Sequence, residues 1–372
     1  MRAETVLDIT SDPRFTKQAN AWFKSPKGAE RNDIVRIDTT LVEKDLIVSG
    51  DRAVQAETSG LDRAWCTETG LDVFMQAYEV ARRTESIELG TAIAVALART
   101  PMTVAYSAWN IADVSNGRFT LGLGSQIKAH VERRYSMPWN SPVGQMREFV
   151  EALRAIFHSW RTGERLEFEG QHYTHSLMSP FWAPKQHDHD IPIHLAAVGP
   201  KMLEMAAQVA DGIILHAFTN RAYMDEVTFP AIERGLEKAG RTWDDIEISL
   251  PMFMAMGDDE ESIVEQRRAI GAQLAFYAST PSYRPVMEAV GFGDLQPELT
   301  ALTKAGDWDK LAAVMPDEFI DHFAVTGRPE DMPELAKKHL GDKVHRTSAY
   351  YGWPVDDTAR LASIFESFRQ EK

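Results

Sequence analysis

Residues 89–130 read LGTAIAVALARTPMTVAYSAWNIADVSNGRFTLGLGSQIKAH. Two β-type runs flank an amphipathic stretch here, SIELGTAIAV from Ser86 on one side and RFTLGLG from Arg118 on the other. Thr100-Pro101 reads as an N-cap followed by proline at the first helical position, and Asn116-Gly117 as the stop. The helix is bracketed at both ends.

Outward from this block the alternation persists. Further strands are expected in VRIDTTL from Val35, DRAWCTE from Asp62, IPIHLAA from Ile191, DGIILHA from Asp211, IEISLPMFM from Ile246 and VHRTSAYY from Val344, which makes eight. Between them, Phe149, Leu153, Ile156, Phe157 and Trp160 share one helical face, as do Leu203, Ala206, Ala207 and Ala210, and Leu361, Ile364, Phe365 and Phe368. Eight strand–helix units imply an α/β fold of the (β/α)8 TIM barrel type, which needs about 250 residues. The excess is assigned to an N-terminal extension, residues 1–34, and to insertions at 125–142, 162–190 and 279–318. Residues 35–372 then form a single domain. Residues 3–8 resemble a first strand too, but a start at Val35 leaves room for one short helix before the second strand. Pro251 removes a ladder donor, so the seventh strand is expected to end or bulge there.

Lys+Arg 40 against Asp+Glu 55 gives a net charge of -15, and no basic stripe forms. General binding to nucleic acid or to an anionic membrane is not expected. One cysteine, Cys66, excludes an intramolecular disulfide framework and multi-cysteine metal clusters. No apolar run approaches the roughly 20 residues of a membrane span, and no signal-peptide core opens the chain, so a cytoplasmic protein is expected.

In such barrels the chemistry lies where the strands end. Those positions offer Asp38, Thr39 and Thr40, Glu68 and Thr69, Ser125 and Lys128, Gly199 and Lys201, and His216. The fourth strand ends Gly122-Leu123-Gly124-Ser125, and the fifth ends Ala197-Val198-Gly199-Pro200 with a helix behind it. Both are candidate phosphate sites, since uncapped amides beside glycine favour an anion; packing is the alternative role for the Gly-x-Gly. The histidines of His172-x-x-His175 and Gln186–Asp190 are read as loop residues, and no metal is expected.

The block ending GRFTLGLGS, with HLAAVGPKMLEMAAQVADGIILHAF, resembles the bacterial luciferase-like superfamily. LGLGSQIKAHVERRYSMPW, FYASTPSYRPV and DTTL resemble its subgroup that uses the deazaflavin coenzyme F420. The resemblance spans Val35 to about Tyr351. It implies an oxidoreductase that transfers a hydride between F420 and a small organic substrate; the alternatives are an FMN-dependent monooxygenase using reduced flavin and O2, and a flavin-binding protein without turnover. It implies a cis peptide at Ala92-Ile93 against which the ring packs, and cofactor contacts from Ser125, Ile127 and Lys128 and from Ala197, Val198, Gly199 and Lys201. Lys128, Arg133 and Arg134 could meet the anionic tail of F420, or form a solvated helix face with Glu132. The resemblance makes Glu68 the acid–base group, although Thr69 stands where members often carry histidine. His216 is the substitute, and Asp38 a weaker candidate. A homodimer is implied as well.

Overall fold

The computed structural model describes residues 35–353 and 357–369. The expectations for residues 1–34 lie outside them. Eight parallel strands close a barrel: β1 (Arg36–Leu41), β2 (Arg63–Cys66), β3 (Glu88–Thr91), β4 (Phe119–Gly124), β5 (Ile193–Ala196), β6 (Gly212–Ile214), β7 (Glu247–Met256) and β8 (Arg346–Ala349). Closure falls between β1 and β8, with Ile37 opposite Thr347 and Asp38 opposite Ser348. The segment beginning at Val35 is therefore the first barrel strand.

Helices α1 (Leu46–Thr58), α2 (Val73–Arg83), α3 (Pro101–Val114), α4 (Pro142–Thr162), α5 (Pro200–Val209), α6 (Phe229–Lys238), α7 (Glu260–Ala278) and α8 (Thr358–Arg369) follow the strands in turn. In α3, Thr100 and Thr103 form a reciprocal cap, Pro101 opens the helix, and Val104, Ala105, Ala108, Trp109, Ile111 and Ala112 are buried. Asn116 and Gly117 take φ of 54° and 82° after it, the left-handed geometry that ends a helix.

The Ala92-Ile93 peptide is cis, as expected at the end of the third strand. Two strands depart from expectation. The run SIELGTAIAV is not one strand: β3 stops at Thr91, and Ala94–Val95 pairs separately with Leu123 and Gly124. Pro251, by contrast, does not end β7, which runs on to Met256. The carbonyls of Ile248 and Met252 face β8, accepting from His345 and Tyr350, while that of Ser249 faces β6 and accepts from Leu215. By that alternation Pro251 points to the β6 side, beyond the last residue of β6, so its missing N–H leaves no ladder bond unmade.

Inward-facing residues fill the barrel in layers. At the lower mouth, Arg63, Glu88, Glu247 and Arg346 each open their strands. Arg63 meets Glu88 at 2.7 Å and Glu247 at 2.8 Å, while the fully buried Arg346 meets Glu88 at 3.0 Å and Asp38 at 2.7 Å. Pairing each charge is what permits burial; removing one partner of such a pair costs about 3–5 kcal/mol.

The largest apolar core lies between strands and helices. A second forms where the insertion after α7 covers the ends of β6 and β7, with Phe218, Phe253, Phe319 and Phe323 buried together. That insertion is helical, including Gln296–Ala305 and Asp317–Phe323.

Candidate active site

The upper mouth between β3 and β4 is shaped by Ala92 and Ile93, both half-buried. The Ala92 N–H donates to the Cys66 carbonyl at 2.7 Å. Both glycines of the Gly-x-Gly make room for this step. A Cβ on Gly122 would fall 1.8 Å from the Thr91 carbonyl oxygen, and one on Gly124 would fall 2.9 Å from the Ile93 side chain. Close strand packing, the alternative role for this Gly-x-Gly, accounts for both glycines.

Glu68, just past β2, leans against this step. Its Oε2 accepts from the Val95 N–H at 2.7 Å and from Arg99 Nη1 at 2.8 Å. Its Oε1 meets Arg99 Nη2 at 2.8 Å and accepts from the Tyr135 hydroxyl at 3.3 Å. With both oxygens engaged, Glu68 is built as an anchor for the chain after the cis peptide. Burial works against the Arg99 charge, but hydrogen bonds and charge from Glu68 and Asp72 outweigh it and raise the guanidinium above its ordinary value. Arg99 was missed by sequence reasoning. The signal was present, because it is the one charged residue between Glu88 and Asp113.

Across the mouth, Leu123 pairs with Leu195, and continuing that register sets Ser125 beside Ala197. Gln126 takes φ of 61° and its side chain accepts from the Ile127 N–H. The N-terminus of α5 begins behind Gly199 with no side-chain cap, and a Cβ on Gly199 would meet nothing within 4 Å. In its first turn Pro200 has no N–H, and the Met202 and Leu203 N–H groups donate to the Gly199 carbonyl at 3.0 Å, which leaves the Lys201 N–H beside Ala197, Val198 and Gly199. Lys128 is 64% exposed and pairs with Glu132 at 3.7 Å. Arg134 reaches the Thr69 carbonyl at 3.4 Å and lies over the Tyr135 ring, and Arg133 is exposed.

His216 lies two residues beyond β6, and its Nδ1 accepts from the Phe218 N–H at 3.0 Å. Burial lowers its pKa to about 4, so the ring is neutral at pH 7 and carries its proton on Nε2. It acts as a hydrogen-bond donor. The ring stands edge-on to Tyr277 at 4.7 Å and lies 5.2 Å from Tyr283. Sequence reasoning missed both tyrosines, although FYASTPSYRPV contains them.

Asp38 is not brought to this mouth. It is the third residue of β1, 1% exposed, and binds Arg346 through both oxygens while accepting from Trp65 Nε1 at 2.8 Å. Its reading as a catalytic group at a strand end is corrected, because the strand continues three residues further. Cys66 is buried and its thiol is pushed well up by burial and by Glu43. His187 stacks on Trp109 at 4.0 Å, holding the 162–190 insertion to α3. Among the described residues no three His, Cys, Asp or Glu side chains group as a metal site, and no helix of these residues is long and apolar enough to cross a membrane.

A closed (β/α)8 barrel with polar groups at its strand ends defines the architectural class of the protein. The sequence profile of the luciferase-like monooxygenase family matches residues 44–339, and the chain belongs to that family. An uncharacterized protein of Mycobacterium tuberculosis is 43% identical over 287 residues, covering 77% of this chain and 84% of its own. The 5,10-methylenetetrahydromethanopterin reductase of Archaeoglobus fulgidus is 29% identical over 286 residues, covering 75% of this chain and 82% of its own. Among solved structures, the coenzyme F420-dependent tetrahydromethanopterin reductase from Methanopyrus kandleri superposes with a TM-score of 0.72 at 21% identity, covering 91% of this chain and 98% of that one.

Proposed function

We propose that the chain is an F420-dependent oxidoreductase acting on a small organic substrate at the upper mouth of the barrel. One observation carries this reading. The half-buried apolar step at Ala92-Ile93 and the uncapped start of α5 at Gly199 lie on the same rim, so a flat ring and an anionic tail of one ligand have places to bind. The residues present therefore fit a deazaflavin. When bound, that coenzyme supplies two-electron hydride chemistry.

The chain's own groups have separable tasks. Ala92 and Ile93 offer an apolar face for the ring, and Glu68 with Arg99 holds the backbone at Val95 that follows this step. Ser125, Ile127 and Lys128 on one loop, and Ala197, Val198, Gly199 and Lys201 at the other, receive the phosphate region. His216 donates from Nε2 and steadies an acceptor atom on the substrate; at pH 7 it holds no surplus proton to release. The helical insertion after α7 covers this side of the mouth and limits water. A homodimer is part of the proposal, and sedimentation of the purified protein tests it.

The test of the cofactor is titration of the purified protein with F420 and FMN separately, read by fluorescence quenching. Saturable F420 binding much tighter than FMN is expected. Tight FMN binding with oxygen consumption on adding reduced FMN, and no F420 binding, would overturn the reading in favour of a monooxygenase.

A further inference from the structure

The segment FYASTPSYRPV gathers aromatic groups that the cofactor reading leaves unused. Helix α7 ends at Ala278, Ser279 caps it, and Pro281 opens a short turn that folds Tyr283 back towards Tyr277, ring to ring at 6.2 Å. The Ser279 carbonyl accepts from Thr300 Oγ1 at 2.6 Å and from Gln296 Nε2, which fixes this corner to the insertion. His216 comes up from β6 between the two tyrosines. Phe218 lies 5.3 Å from Tyr283, and Tyr350, just past β8, lies 4.6 Å from Phe253. His216, Tyr277, Tyr283 and Tyr350 are all half-buried, so they line accessible space rather than closed core.

The hydrogen-bonding inventory of this box is lopsided. The Tyr277 and Tyr350 hydroxyls bond to each other, and among the described residues they bond to nothing else. Two hydroxyls carry two protons, and their mutual bond uses one. One O–H is left to donate. His216 accepts at Nδ1 from the Phe218 N–H, so its second nitrogen also donates. Burial and the neighbouring tyrosines push Tyr277 far above the ordinary phenol range, and Tyr283 is pushed up to about 12, so the phenols stay protonated at any working pH. The box thus presents uncharged N–H and O–H donors, with phenol oxygens that also accept, framed by apolar rings.

We propose that His216 and the Tyr277–Tyr350 pair form an uncharged donor site that takes the acceptor oxygen of an apolar ligand, a ketone or related carbonyl compound, in preference to the matching hydrocarbon or ammonium. This assigns the substrate side of the mouth and rests on the functional reading above. Aromatic boxes also attract cations through their ring faces. Here the His216 and Tyr277 rings lie 4.7 Å apart and Tyr277 bonds to Tyr350, so the imidazole N–H and the spare phenol O–H belong to neighbouring side chains; since phenol oxygens also accept, an ammonium is the counter-test.

The experiment is calorimetric titration of the full chain, with and without F420, using four probes of one skeleton: acetophenone, 1-phenylethanol, ethylbenzene and 1-phenylethylamine, the last protonated at pH 7. Acetophenone is expected to bind about tenfold tighter than ethylbenzene, about 1.4 kcal/mol, with the alcohol between them and the ammonium weaker than the ketone. Tyr277→Phe and Tyr350→Phe each leave one hydroxyl and should each cost acetophenone less than threefold. The double variant Tyr277→Phe/Tyr350→Phe should bring it to within about threefold of ethylbenzene, leave ethylbenzene unchanged and keep F420 affinity. Equal wild-type binding of acetophenone and ethylbenzene, tighter binding of the ammonium, or an unchanged acetophenone preference in the double variant overturns the proposal. The wild-type series needs no variant to fold. A wild type that prefers acetophenone yet never binds F420 refutes the cofactor reading and leaves the donor site standing.

Discussion

Glu68→Gln separates an anchoring carboxylate from a catalytic one. The substitution keeps the shape of the side chain but turns one oxygen into an amide that faces the Arg99 guanidinium, donor against donor. Three contacts at 2.7 to 2.8 Å are affected, two from Arg99 and one from the Val95 N–H. Breaking one partner of a well-buried ion pair costs about 3–5 kcal/mol. Glu68 is 7% exposed, but Arg99 is 17% exposed and keeps Asp72 at 3.1 Å, so a loss of about 2 to 3 kcal/mol is expected. At about 2.1 cal/mol/K of unfolding entropy per residue, a chain of 372 residues loses about 1.3 °C of Tm per kcal/mol, hence about 3 to 4 °C here. Urea melts of wild type, Glu68→Gln, Arg99→Met and the double variant read the pair directly. The double variant should be less destabilised than the two singles added, by about 1 to 2 kcal/mol. In turnover, the shape of the pH–rate profile should be retained while its height falls. A Glu68→Gln protein as stable as wild type, with no coupling to Arg99, or one that loses a limb of the pH profile, would refute the anchoring argument.

His194 is 3% exposed, and burial lowers its pKa to about 4, so the unfolded chain binds its proton first on acidification; stability present above about pH 6.5 should fall by about 3 kcal/mol as pH drops towards 4, with His194→Gln showing a flatter slope in denaturant midpoints. Gly122→Ala should prevent accumulation of folded protein, since the added carbon would overlap the Thr91 carbonyl, whereas Gly199→Ala should melt within about 1 °C of wild type yet bind F420 several-fold more weakly, a contrast that thermal melts and titration check together. Replacing Lys128, Arg133 and Arg134 by Ala should weaken F420 binding by about tenfold and reduce its salt dependence, because such exposed contacts are worth roughly 0 to 1 kcal/mol each and Lys128 already pairs with Glu132; unchanged affinity and salt response would leave these residues as a solvated face.

The barrel was legible from residues 89–130 because its signals are local. A cap at Thr100-Pro101, a stop at Asn116-Gly117 and apolar residues at helical and strand spacing each depend on neighbours a few positions away. The same holds for the open start of α5 behind Gly199. What pairs across the chain was not legible. Asp38 reads as a strand-end carboxylate until Arg346, 308 residues on, closes the barrel beside it and takes both its oxygens. Pro251 reads as a strand breaker until the short β6 leaves nothing for its missing N–H to meet. That Arg99 pairs with Glu68, and that Tyr277 meets Tyr350 just past β8, is equally invisible along the chain. Periodicity and capping chemistry specify which segments are strands and helices; which charges neutralise one another, and which donors are left over for a ligand, depends on distances that exist only after the ring of eight strands has closed.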